Sequence, residues 1–241
     1  MISNPSIFGK LPRYGDFIRH NAPLAQVDVW RSWFEQGAKW PANGGAGHVV
    51  LEGKSSRCAL PVNLEEGPVF RRAQPCYFVL KGSRLGFPAA GDYVIGVMIA
   101  SRDRVGRRYP LVIWQSTSAH WAEQLLAAPA HWLTDAAQLL HDHVQQCSRE
   151  NFSACVDALW LDYRPRWRDR IGTSFRRLAD THRSIGELAG PFALGCKSLR
   201  ADWPQHVYGH GSLGNFWQAG ADSVLAIDGV SAIRDIVAAI S

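Results

Sequence analysis

The residues best placed to do chemistry are the histidines, the isolated carboxylates and one glycine-rich loop, and none has the spacing that catalysis needs. His141 and His143 are two apart, so on a helix they face different ways and cannot share a metal. His206 and His210 have the i, i+4 spacing, but Pro204 and Gly209 argue against a helix there. The nine histidines therefore read as partly buried or surface side chains. The segment "GHGSLG" (209–214) is a literal G-x-G-x-x-G, and Asp228 lies at about the distance of a ribose-binding acid. A dinucleotide site needs a strand before that motif and a helix after it, and the flanks "WPQHVY" and "NFWQAG" carry no helical period. It reads as a turn-rich loop. Walker A, G-x-S-x-G and H-E-x-x-H are absent. Asp16 and Asp103 each have arginine nearby, which lowers a carboxyl pKa rather than raising it toward that of a general acid. No catalytic residue, cofactor-binding residue or metal ligand is expected.

Arginine is the unusual feature. Of 26 basic residues only five are lysine, and the net charge is +5 with a pI near 9.1. Arginine presents a planar fork suited to carboxylates, phosphates and interfaces, although codon usage in a GC-rich genome would also enrich it. The stretch "SRDRVGRRYP" (101–110) holds Arg102, Arg104, Arg107 and Arg108 with Asp103 and Gly106 among them. A second stretch, "YRPRWRDR", spaces Arg164, Arg166, Arg168 and Arg170 two apart, with Tyr163 and Trp167 interleaved. Extended, it would be a polyanion surface; with Asp162 and Asp169 close by, it reads as a solvated or self-paired segment.

The first arginine stretch lies between "YVIGVMIA" (93–100) and "LVIW" (111–114), two continuous apolar runs of the kind covered on both faces of a sheet. Their link is hairpin-sized, so the runs are expected to pair antiparallel with Val97, Ile99, Leu111 and Ile113 buried. "SIFG", "CYFVL" and "SVLAI" read as further strands. Helical spacing appears at Leu24, Val27, Trp30 and Phe34, ended by Gly37 and Pro41, and at Leu133, Ala136, Leu140 and Val144. Ser118 is a candidate cap for a short helix through Leu126, and Pro129 suits the first turn of the next. Ile233, Ile236, Val237 and Ile240 stripe a closing helix. Five scattered cysteines without C-x-x-C suit reduced thiols. The N-terminus lacks an apolar signal core and no run is long enough to span a bilayer, so a cytoplasmic location without membrane insertion is expected.

The expected fold is α/β: a single, largely antiparallel (mixed) central sheet sandwiched between helix layers. With 241 residues, 46% of them hydrophobic and 20% charged, and no linker, residues 1–241 are expected to form one domain in which 146–241 pack on the rest.

Two segments carry a resemblance. "FGKLPRYGDFIRH" resembles the G-K-L-P-x-x-G-D-F opening of the TagF family, and "GVMIASRDRVGRRYPLVI" resembles its second motif, G-V-x-x-x-S-x-D-x-V-G-R-x-[FY]-P-L. Both occur in the family's order, densest over 1–145, while 147–208 match nothing quotable. The resemblance implies a cytoplasmic accessory protein of bacterial type VI secretion. It implies a post-translational repressor of assembly and firing that acts through the forkhead-associated scaffold protein Fha, with no catalytic site, no cofactor and no nucleic-acid partner. Some TagF-like chains are fused to a serine/threonine phosphatase; this chain is too short for one and lacks its aspartate-rich motifs. The partner-binding candidates are Lys10, Gly15, Asp16, Phe17, Arg102, Asp103, Arg104, Gly106, Arg107 and Arg108. Two roles are open to the arginine loop. In one, Asp16 clamps Arg104 or Arg107 and joins the two motifs; in the other, the loop faces an acidic or phosphorylated partner. The alternative function is an arginine-rich module for nucleic acid or another polyanion.

Overall fold

The computed structural model of the chain describes residues 2–37, 49–50, 69–70, 74–87, 93–119, 121–122, 132–146, 148, 150–164, 213–218, 225–227 and 229–240. Seven strands build one sheet: β1 (Ser6–Gly9), β2 (Ile18–His20), β5 (Cys76–Lys81), β6 (Tyr93–Ile99), β7 (Leu111–Thr117), β8 (Gly214–Gln218) and β9 (Leu225–Ile227). Their order is β2-β1-β7-β6-β5-β8-β9. Every pairing is antiparallel, so the mixed sheet allowed for by the sequence is an antiparallel one. Strands β3 (Val49–Val50) and β4 (Val69–Phe70) form a separate two-stranded pair.

The hairpin expected at the arginine loop is present. Val97 faces Ile113 and Ile99 faces Leu111 across β6 and β7, and all four side chains are fully buried. These strands are apolar on both sides because both sides are covered. Helices α2 (Trp132–Gln145) and α3 (Phe152–Tyr163) pack on the face carrying Ile7, Tyr77, Ile95, Val97, Ile113 and Trp217. On the other face, α1 (Leu24–Gly37) and α4 (Val230–Ile240) pack over Phe8, Phe78, Met98, Trp114 and Phe216. Trp30 is the aromatic centre of that layer, within 6 Å of the rings of Trp33, Phe34, Phe78, Phe87 and Trp114.

The expected helical stripes are buried at Val27, Trp30 and Phe34, at Leu133, Ala136, Leu140 and Val144, and at Ile233, Ile236, Val237 and Ile240. Leu24 is the exception at 64% exposed, because it sits in the first turn, where the end of α1 reaches solvent. Ala122 N donates to Ser118 O at 3.0 Å, consistent with a helical turn opening at Ser118; Leu126, Pro129 and Pro41 lie outside the described residues. The short strands β2, β3 and β4 are not read from the sequence, and neither are two longer elements. Asn151 caps α3 by accepting from Ala154 N, and Phe152, Val156 and Trp160 are its buried i, i+4, i+8 row. "GNFWQ" is a buried strand, so the glycine motif leads into β8 rather than into the helix a pyrophosphate site needs. Among the described residues no helix is long and apolar enough to cross a membrane.

Because Ile113 is wholly buried between two packed faces, Ile113→Ala should lower the unfolding free energy by about 2–5 kcal/mol. Denaturant unfolding checks this: the midpoint should fall while the slope stays constant.

Candidate functional site

The antiparallel pairing of β1 with β7 sets Gly9 beside Leu111, where the arginine loop rejoins the sheet. Only glycine fits there. Its φ is +140°, and a Cβ would stand 2.2 Å from the Pro110 carbonyl oxygen. Past Gly9 the chain makes a turn, with Tyr14 N donating to Leu11 O at 3.0 Å and Pro12 at the second position, before β2 begins. The hairpin loop narrows opposite this turn. Arg102 and Arg108 are bridge partners, Asp103 N donates to Arg107 O, and Gly106 N donates to Asp103 O, with Gly106 at φ +87°.

The two sequence motifs meet in space, and Asp103 joins them. Its side chain is fully buried. Oδ2 accepts from Lys10 Nζ at 2.8 Å and from Arg107 Nε at 2.6 Å. Oδ1 accepts from the backbone N–H groups of Val105 at 3.0 Å and Arg107 at 2.8 Å, the local pattern through which aspartate shapes a turn. Across the gap Arg104 N donates to Tyr14 O at 3.1 Å and Arg107 Nη2 donates to Gly15 O at 3.3 Å. The expected pairing of Asp16 with Arg104 or Arg107 is not formed. Asp16 is exposed and makes no ion pair among the described residues. The reason is alternation: Asp103 turns inward between two outward arginines, and Lys10, one residue past the end of β1, is the cation that meets it. Lys10 is among the candidates read from the motif, but its partner is not.

Burial by itself would raise the Asp103 carboxyl pKa. The hydrogen bond from Lys10, those from the Arg107 backbone and side chain, and the Arg107 charge outweigh it and hold the carboxyl well below the usual carboxylate range. Lys10 in turn lies over the Phe17 ring, 4.8 Å from its centroid. Phe17 stacks on Phe8 at 5.5 Å and meets Tyr109 edge-on at 4.6 Å, while remaining 47% exposed. Burial, then the Glu35 charge, pushes the Tyr109 phenol above its usual value, against Arg31.

Outward, the site displays Tyr14, Phe17 and Val105 together with Arg102, Arg104, Arg107 and Arg108, all exposed. Segments 10–19 and 102–108 hold seven cations against two carboxylates, an excess as large as that of the whole chain. Chemically this is a cationic and partly aromatic surface. The one buried carboxylate is saturated by four donors and is unsuited to carrying protons at neutral pH.

The other sequence candidates do not join it. His141 and His143 lie on α2, with His143 Nδ1 2.9 Å from Leu139 O, and no potential metal cluster occurs among the described residues. Cys76 is a buried thiol pushed far up by burial, and Cys155 is a free thiol on α3. Arg164 closes α3; Arg166, Arg168, Arg170, Cys58, Cys147, Cys196, His206, His210 and 209–212 lie outside the described residues.

Residues 62–159 match a family model described as the TagF N-terminal domain, type VI secretion system-associated. The match contains the arginine loop and runs past 145 through most of α3; the first motif precedes it. Among solved structures, the chain is similar to the crystal structure of PA0076 from Pseudomonas aeruginosa PAO1. The identity is 17% over 99% of this chain and 94% of that one, with a TM-score of 0.57, a likeness of fold. No curated protein matches the chain significantly.

Asp103→Asn should lower the melting temperature clearly, and Asp16→Asn should leave it nearly unchanged. The acid dependence carries a sign. Since the folded-state pKa is depressed, the contribution of Asp103 is complete above its unfolded value of about 4 and declines as pH falls through the folded one. Thermal unfolding of wild type and Asp103→Asn should therefore differ by a constant amount above about pH 4, draw together as pH falls further, and meet only below the folded-state pKa.

Proposed function

Since the chain carries a TagF N-terminal domain and is a type VI secretion-associated protein, we propose that it represses assembly and firing of the secretion machine by binding the forkhead-associated scaffold protein Fha, without catalysis. The observation that carries this reading is the arginine loop. Its root is fixed by a buried carboxylate with four donors, while its tip offers exposed arginines beside exposed Tyr14, Phe17 and Val105. Arginine and aromatic side chains are the composition of interface hot spots, and on a loop whose backbone is already fixed little backbone entropy remains to be lost on docking. The site displays exposed side chains suited to docking. A cytoplasmic location goes with this role.

Mixing purified protein with the cytoplasmic portion of the scaffold and titrating by calorimetry tests the reading. Saturable binding is expected, weakened about tenfold or more by Tyr14→Ala combined with Phe17→Ala at unchanged secondary structure. Absence of binding by the wild-type protein would contradict it.

A further inference from the structure

Arg102 and Arg108 stand directly opposite each other across the neck of the loop, as antiparallel bridge partners. Side chains so paired share one side of the ribbon with Cβ atoms about 4.5–5.5 Å apart, and like charges in that position repel. Both arginines are exposed, and neither makes a hydrogen bond or ion pair among the described residues. The acid nearest in sequence, Asp103, is turned inward and consumed by Lys10 and Arg107. The fold therefore roots two arginine side chains directly opposite each other, without a counter-charge among the described residues.

We propose that this pair is an anion clamp for the carboxylates of an acidic segment of a protein partner, with the apolar side chains of that segment resting on Tyr14, Phe17 and Val105. The inference rests on the proposed binding role and adds the surface and the chemistry of its occupant. Two guanidinium forks can take neighbouring carboxylates, and one bound carboxylate also relieves the repulsion between them. The apolar neighbours favour a protein over a nucleic acid. Val105 is aliphatic and 69% exposed, which is no platform for a base, and one face of Phe17 is already taken by Phe8. Aliphatic and aromatic anchors ringed by arginine fit a peptide that alternates acidic and large apolar residues.

The test uses fluorescence anisotropy of labelled probes on the full chain: an alternating Glu–Leu peptide, its Gln–Leu and phosphoserine–Leu counterparts, and a random single-stranded oligonucleotide. Wild type should bind the Glu–Leu peptide, and the Gln–Leu peptide about tenfold or more less tightly. R102A/R108A should lose the Glu–Leu peptide by about tenfold or more, and Arg84→Ala, which is remote from the loop, should not. The melting temperature of R102A/R108A should stay level or rise, since a repulsion is removed. Equal binding of the Glu–Leu peptide by wild type and R102A/R108A, or a lowered melting temperature, would overturn the clamp. Tighter binding of the oligonucleotide, or binding of the phosphoserine peptide alone, would overturn its assignment to carboxylates of a protein. The probes contain nothing of the scaffold, so a protein that binds the Glu–Leu peptide but not the scaffold keeps the clamp and loses the repressor reading. Scaffold binding undiminished in R102A/R108A does the reverse.

Discussion

The buried carboxylate of Asp103 is the constraint around which the rest is arranged. A carboxylate removed from water is tolerated only when its charge is matched and its lone pairs are filled, and here two cations and two backbone amides do both. Those donors come from two places far apart in the chain: Lys10 from the end of β1, and the rest from the loop between β6 and β7. Satisfying one acid therefore fixes the loop's shape and fastens the N-terminal turn to it. Phe17 is drawn into the same unit through the ammonium of Lys10 and the rings of Phe8 and Tyr109.

The sheet makes this convergence possible. Antiparallel pairing of β1 with β7 brings the two segments to one end of the sheet, and the contact at Gly9 is close enough to exclude any side chain. Helix layers cover both faces, so β6 and β7 anchor the loop in the most buried part of the molecule. A loop rooted in a packed core can hold its backbone in place, which is what the proposed binding role requires. The cost is concentrated charge: Asp103 is taken up by Lys10 and Arg107, and Arg102 and Arg108 face each other at the neck with no acidic partner among the described residues.

The sequence is legible where physics is local. Unbroken apolar runs mark β6 and β7, and 3.6-residue spacing marks α1, α2 and α4, because burial on both faces or on one stripe leaves a direct trace. It is less legible at α3, whose Asn151 cap and Phe152–Val156–Trp160 row are obscured by the neighbouring arginine-rich segment, and at β8, where glycines draw the eye to a turn. At the site, composition tells which residues matter but not how they pair. Asp16 and Asp103 look alike as letters; which one turns inward depends on strand register and on the direction each side chain takes. Lys10 reads as part of a motif, yet its partner lies 93 residues away and is set by the pairing of β1 with β7.

The most direct test of this account is a double-mutant cycle between Lys10 and Asp103, using Lys10→Met, Asp103→Asn and the pair, read by denaturant unfolding. If the buried pair holds the two motifs together, Lys10→Met leaves Asp103 with Arg107 as its one cation, Asp103→Asn leaves Lys10 without its carboxylate, and the double variant should be no less stable than the worse single variant. If instead the two losses simply add, the residues act independently, and the Asp103 carboxylate does not join the motifs.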